Sequence, residues 1–192
     1  LMGAVEDVPM AQAEDQFNVN LFGAARLIQS VLPMMRQQHA GRIINVTSVD
    51  GKVAQPFGAW YVASKFALEG LSDALRLELD PQGIHVAVIE PGAIQSEWAD
   101  IAADHLQELS ANGPYEKDAG RAAAILKAVK KFSSKPKVVA RLVDKAALFR
   151  RPKTRYSAGA GSQILWVRRF LSDKMIDRMW QVIGKAAEQI TR

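Results

Sequence analysis

Four consecutive apolar residues, Val86-Ala87-Val88-Ile89, constrain the fold of this chain more than any other stretch. A strand with one wet face alternates polar and apolar side chains. An uninterrupted apolar run is instead buried on both faces and belongs to a parallel sheet. A second short run, Ile43 to Thr47, follows Gly41 and ends in hydroxyl residues, which predicts a strand over 42–47. Between the two lies a stretch rich in Ala, Leu and Glu, residues 57–79, that reads as a helix. It stops at Asp80-Pro81-Gln82-Gly83, a strong helix terminator. Strand, helix and strand then form one βαβ unit, whose crossover is right-handed. The expected class is α/β, with helices on both faces of a parallel sheet.

The remaining elements are read around that unit. Phe17, Leu21, Ala25, Ile28 and Leu32 recur at helical spacing and predict one long helix over 11–38, with Pro33 bending or tightening its last turns. A loop over 49–57 carries the turn formers Asp50-Gly51 and Pro56. From 93 to 118 the pattern is less regular. Trp98, Ile101, Leu106 and Leu109 trace a short helix that Asn112-Gly113-Pro114 breaks. Helices are expected over 118–132 and 136–149, with a short last strand from Tyr156 to Ala160. The tail, 163–190, places Ile164, Val167, Leu171, Ile176, Met179, Ile183 and Ala187 along one side and most of its basic residues elsewhere. Ser172-Asp173 is suited to cap a second helix within it.

Composition narrows the classes of function. At 192 residues and 48% hydrophobic content the chain has ample material for a core. It contains no Cys, which excludes disulfides and thiolate metal sites and suits a cytoplasmic location. His39, His85 and His105 are far apart and show no ligand spacing, so no metal is expected. No apolar run reaches the ~18 residues of a membrane-spanning helix, and the N-terminus does not read as a secretion signal. Charge is uneven: residues 1–120 hold 7 Lys and Arg against 16 Asp and Glu, and residues 121–192 hold 18 against 4. Without aromatic–basic interleaving or a nucleic-acid motif, the basic half reads as solvated helix faces rather than a nucleic-acid surface. The basic amphipathic tail, with Trp166, Phe170 and Trp180, fits a membrane-surface helix. It fits equally a helix docked on its own domain or on a second subunit, and docking is the commoner outcome.

The residues that suggest chemistry are Ser48, Tyr61 and Lys65. Residues at i and i+4 share a helical face, so Tyr61 and Lys65 point the same way. A strand end carrying Ser48 can meet that face. The three then offer a hydroxyl, a phenol, and an ammonium that favours the phenolate, which is a proton-transfer site for an alcohol or a carbonyl. A Tyr-x-x-x-Lys pair by itself is more often a surface pair. Its company raises the odds: Asn18 and Asn20 lie upstream on a helix, and a strand ending in Pro91-Gly92 lies downstream.

The segments F-N-V-N-L-F-G (17–23), I-I-N-V-T-S (43–48), Y-V-A-S-K (61–65) and V-I-E-P-G-A-I-Q-S (88–96) together resemble the short-chain dehydrogenase/reductase family. They stand in that family's order, over about residues 3–160. I-E-P-G-A-I and P-K-T-R-Y (152–156) are most similar to its steroid- and retinol-dehydrogenase-like branch. The resemblance implies a Rossmann-type, doubly wound parallel sheet and an NAD- or NADP-dependent oxidoreductase acting on a small apolar alcohol or carbonyl, commonly as a homo-oligomer. Asn20, Ser48, Tyr61 and Lys65 match the catalytic tetrad. By the same analogy, Tyr61 is the general acid/base and Ser48 orients the substrate oxygen. Lys65 lowers the Tyr61 pKa and holds the nicotinamide ribose, and Asn20 supports a water chain. The backbone after Pro91-Gly92, around Ile94, and the Ser96 hydroxyl grip the carboxamide; Ser96 stands where the family commonly has Thr. The stretch 93–118 corresponds to the substrate lid, where Trp98 and Ile101 either line an apolar pocket or pack the core.

The family's opening Gly-rich turn and its Asn-Asn-Ala-Gly segment have no counterpart here: no G-x-x-x-G-x-G or G-x-G-x-x-G occurs. The sequence therefore resembles the C-terminal, catalytic part of such an enzyme, with the first strands of the sheet lacking. Residues 1–160 are expected to form that part and 161–192 a helical tail. The choice between NAD and NADP is not legible. A second reading is a non-catalytic interaction module that keeps a dehydrogenase-like scaffold.

Overall fold

A computed structural model describes residues 1–190, with side chains described through residue 186. Three strands, β1 (Gly41–Val46), β2 (Ile84–Pro91) and β3 (Arg155–Ala158), form one parallel sheet in the order β1-β2-β3. Gly41 stands opposite Ile84 and Val46 opposite Ile89; on the other side Val88 stands opposite Arg155 and Pro91 opposite Ala158. The apolar run is central, as expected. From Val86 to Glu90 every residue of β2 is buried, because both of its faces are covered.

The helices are α1 (Met10–Phe17), α2 (Ala24–Gln37), α3 (Ala59–Leu79), α4 (Trp98–Ser110), α5 (Glu116–Lys130), α6 (Lys137–Leu148), α7 (Ile164–Val167) and α8 (Asp173–Ile190). Strand alternation divides the core between the two faces of the sheet. On one face Ile43, Ile84 and Val86 pack with Ile28 of α2 and Leu75 and Leu79 of α3. On the other, Ala87, Ile89 and Tyr156 pack with Ala146 of α6, joined by Ile44, Leu142 and Val143. The sheet is thus doubly wound. A third cluster joins α4 to α5 through Ala102, Ala103, Leu106, Ala119 and Ala123, with Met2 and Phe57 against it. Small alanines let these two helices approach closely.

The predicted single helix over 11–38 is interrupted. Residues Asn18–Gly23 form a π-helical segment between α1 and α2, and the chain then continues helically through Pro33 to Gln37. One extra residue per turn reorients the side chains of this stretch, a device that recurs at functional sites. At the end of α3 the terminator works as read: a 3₁₀ turn over Asp80–Gln82 is followed by Gly83 at φ 72°, a left-handed position that favours glycine. The last strand lies one to two residues earlier than expected, and Ala160 instead bridges to Ala93. That bridge brings two backbones together at Gly92, where an added Cβ would stand 2.2 Å from the Ala160 carbonyl oxygen.

The tail breaks where Ser172-Asp173 suggested. The Ser172 carbonyl accepts from the amides of Met175 and Ile176 and so opens α8. Ile176 is buried, and Trp180 Nε1 donates to the Ala54 carbonyl at 2.8 Å. The side chain of Ala187, placed on the apolar side of the tail, lies outside the described residues.

Candidate active site

β1 and α3 bring the proton-transfer candidates together at the C-terminal ends of the strands, where open α/β sheets bind ligands. β1 ends at Val46, and the chain runs on extended through Thr47 and Ser48 before a 3₁₀ turn over Val49–Gly51. Ser48 caps that turn by accepting the Asp50 amide at 3.1 Å. The first turns of α3 carry Tyr61 and Lys65 to the same place. The Tyr61 phenol and the Ser48 hydroxyl converge here, and the Ser48 hydroxyl favours the ionised phenol. Lys65 reaches past the phenol ring, 5.8 Å from its centroid, and its ammonium donates to the Val46 carbonyl at 3.1 Å. Trp98, the first residue of α4, lies against Tyr61 with ring centroids 5.5 Å apart. Ile101 is 52% exposed, so it is not a core residue.

Asn20 stands one side chain behind this group. Its Nδ2 donates to Ser64 Oγ at 3.0 Å, and Ser64 Oγ donates to the Tyr61 carbonyl at 2.7 Å. Ser64 is fully buried and joins the π-helical segment to α3 beneath Tyr61. Pro91 and Gly92 sit where β2 ends, and Gly92 N is engaged by the Ala158 carbonyl at 2.9 Å. Ile94 bridges to Ser134. The Ser96 hydroxyl is engaged locally, between the Ile94 carbonyl and the Trp98 amide at 3.4 and 3.3 Å.

Electrostatics correct one expectation. The Tyr61 hydroxyl is pushed up to about 12: burial contributes most, the Asp50 carboxylate adds to it, and the hydrogen bond with Ser48 pulls the other way. Lys65 is not what dominates the phenol. Its own ammonium is held below its usual value by burial, with Asp50 opposing that shift. The physical reason is desolvation of a phenolate beneath Trp98 and Ser48, which outweighs a cation bonded to a backbone carbonyl.

Beneath the site runs a buried ionic network. Thr47 Oγ1 donates to Glu69 at 2.6 Å, and Glu69 is 2% exposed. Glu69 is paired with Lys52 at 3.1 Å and Arg155 at 2.9 Å. Arg155 also holds Asp73 at 2.7 Å and Glu90 at 3.3 Å. Burial raises the Glu90 carboxyl, and Glu69 adds to that. This network ties the ends of β1, β2 and β3 to α3 directly behind Ser48. Sequence reasoning missed Ser64, Glu69 and Asp50. Asp50 in particular reads as an ordinary Asp-Gly turn former, and nothing in the pattern reports its burial.

A family model described as "short chain dehydrogenase" matches residues 2–107. This chain belongs to the short-chain dehydrogenase family. It is 33% identical to a probable short-chain type dehydrogenase/reductase, VdlC, of Helicobacter pylori, over 86% of this chain and 60% of that one. Among solved structures it is similar to a short-chain dehydrogenase from Streptomyces avermitilis, with TM-score 0.73, 23% identity, and 96% of this chain and 65% of that one covered. It is likewise similar to a family member from Burkholderia phymatum solved in complex with NAD, with TM-score 0.69, 24% identity and coverage of 88% and 60%. These two likenesses establish the fold. The chain spans about three fifths of the length of the curated relatives it matches.

Proposed function

We propose that the whole protein is an NAD(P)-dependent oxidoreductase that interconverts an apolar alcohol and its ketone or aldehyde, with Tyr61 as the general acid/base. The observation that carries this reading is the convergence of Tyr61 and Lys65 of α3 with Ser48 where β1 ends, Lys65 lying over the Tyr61 ring and bonded to the Val46 carbonyl. In the reductive direction the substrate oxygen is held by the Ser48 hydroxyl, and the Tyr61 hydroxyl donates its proton to that oxygen. In the oxidative direction the phenolate takes the proton back. A nicotinamide cofactor, when bound, supplies or accepts the hydride. The donor set fits such a group: Lys65 offers an ammonium for ribose hydroxyls, and the Pro91–Ser96 turn offers backbone and hydroxyl groups for an amide. Asn20, through Ser64, fixes the helical turn that carries Tyr61. Trp98 over the Tyr61 ring makes an apolar wall on the substrate side and supports an apolar substrate.

The tail is read as docked on its own domain, which the Trp180–Ala54 hydrogen bond supports. No helix among the described residues is long and apolar enough to cross a membrane. Val19, Phe22, Leu27 and Met34 leave an exposed apolar face along the π segment and α2, which supports a homo-oligomer. A cytoplasmic location belongs to the same reading. The test is a screen of the full-length protein with NADH and NADPH against steroid, retinoid and aliphatic carbonyls. Cofactor oxidation with at least one of them is expected. No turnover together with no change in nicotinamide fluorescence would favour a non-catalytic scaffold.

A further inference from the structure

Tyr61, Lys65 and Glu69 follow one another at four-residue spacing along α3, so they share one face of that helix. The second and third reach consecutive residues of the chain that leaves β1. Lys65 Nζ donates to the Val46 carbonyl at 3.1 Å, and Thr47 Oγ1 donates to Glu69 Oε1 at 2.6 Å. Glu69 is therefore bonded to the residue immediately before Ser48. Its other oxygen, Oε2, pairs with Lys52 at 3.1 Å, just past the 3₁₀ turn that Ser48 caps. One carboxylate, 2% exposed, thus holds the chain on both sides of Ser48. Arg155 binds Oε2 from β3 at 2.9 Å and anchors the carboxylate itself. Between the two arms the turn lies directly on α3. An added Cβ at the buried Gly51 would stand 2.9 Å from Glu69 Cγ and 3.3 Å from the Lys65 carbonyl oxygen.

The sheet alone does not fix Ser48. The ladder between β1 and β2 ends at the Thr47 amide, which donates to the Ile89 carbonyl at 2.8 Å, and Ser48 lies beyond it. A hydroxyl and a phenol that act on one substrate oxygen must keep their separation to within about 0.5 Å. We propose that Glu69 is a positioning residue: it sets the register between α3, which carries Tyr61 and Lys65, and the turn that carries Ser48. The substrate oxygen is then held where the Tyr61 hydroxyl reaches it. The inference rests on the reading of Ser48 and Tyr61 as the groups that hold and protonate that oxygen. Buried ion pairs add little stability over well-packed apolar groups, and setting a register is their best-attested use.

Glu69→Gln would leave Lys52 and Arg155 short of their counter-charge and report on folding. The clamp is therefore opened at its far ends, with Thr47→Val, Lys52→Met and the two together in the full-length enzyme. Reduction of cyclohexanone is measured, with cofactor binding followed by nicotinamide fluorescence and amide hydrogen exchange followed over residues 50–53. The double variant is expected to lower kcat/KM by ~10–100-fold with cofactor binding unchanged. Exchange in the turn should quicken by about tenfold while residues 86–88 of β2 keep theirs. Thr47→Ser, which keeps the donor, should keep the wild-type rate. The decisive comparison is made in Ser48→Ala. There the same pair of substitutions should cost less than about twofold, because no hydroxyl is left to misplace. A full loss in that background, or exchange quickened throughout the sheet, would make Glu69 a structural residue and overturn the proposal. A double variant with wild-type rate and exchange would overturn it too. No turnover of cyclohexanone by the wild type, or no loss in Ser48→Ala alone, would instead count against the reading of Ser48 and Tyr61, and exchange in the turn would then decide whether Glu69 holds it.

Discussion

Asp50 bears on stability, and there the sign follows from linkage. Its folded-state value of about 6 lies above its ordinary 3.8, so the folded protein binds this proton more tightly than the unfolded chain does. The stabilisation is complete below 3.8 and is lost as the pH rises through about 6. Asp50→Asn should therefore match the wild type in acid and melt at a higher temperature above neutrality. A thermal melt series against pH checks this, and a variant equally or less stable at pH above 6 would contradict it. Lys65→Ala should both slow turnover and weaken cofactor binding, the latter by on the order of tenfold for the loss of charge-assisted hydrogen bonds. Titration of nicotinamide fluorescence separates the two effects. Ser48, Tyr61 and Lys65 were legible because each carries its chemistry in its own side chain and their spacing fixes a shared face. Asn20 was legible only through resemblance. Its partner Ser64 and the acid Asp50 were hidden, because Ser64 is distinguished by a bond to Asn20, 44 residues away, and Asp50 by burial.

At the scale of elements, the strand–helix–strand unit could be read almost to its ends. The uninterrupted run of β2 and the turn after α3 are local signals with one physical meaning each. The π-helical segment was not legible. Asn18–Gly23 lies within a good helical pattern, and the extra residue per turn accompanies a tertiary contact, Asn20 to Ser64, that periodicity does not contain. The ionic network was hidden for the same reason, since Arg155 reads as one member of a basic run. Its hydrogen bonds to Asp73 and Glu69 more than offset the burial that works against its charge, and its guanidinium is held above its usual range. Arg155→Met should leave Glu69 and Glu90 as under-compensated buried carboxylates and cost about 3 kcal/mol or more. Urea denaturation checks it, and a loss below about 1 kcal/mol would mean that Lys52 suffices to hold Glu69.

For the molecule as a whole, the sheet has one edge that decides what these residues can do alone. Among the described residues β1 pairs only with β2, so its other edge carries unpaired backbone groups. Leu27 and Met34 of the neighbouring α2 are 70% and 64% exposed. Open edges and apolar faces of this kind favour association. Residues 1–192 expressed alone are expected not to bind NADPH at micromolar concentration; a monomer that melts cooperatively and binds it would contradict this. The central claim, that Tyr61 transfers the proton, is tested most directly by Tyr61→Phe in the full-length protein. The ring stays and only the hydroxyl is removed. Carbonyl reduction should fall ~10²–10⁴-fold while nicotinamide fluorescence reports unchanged cofactor binding. A rate close to that of the wild type would show that the proton comes from elsewhere.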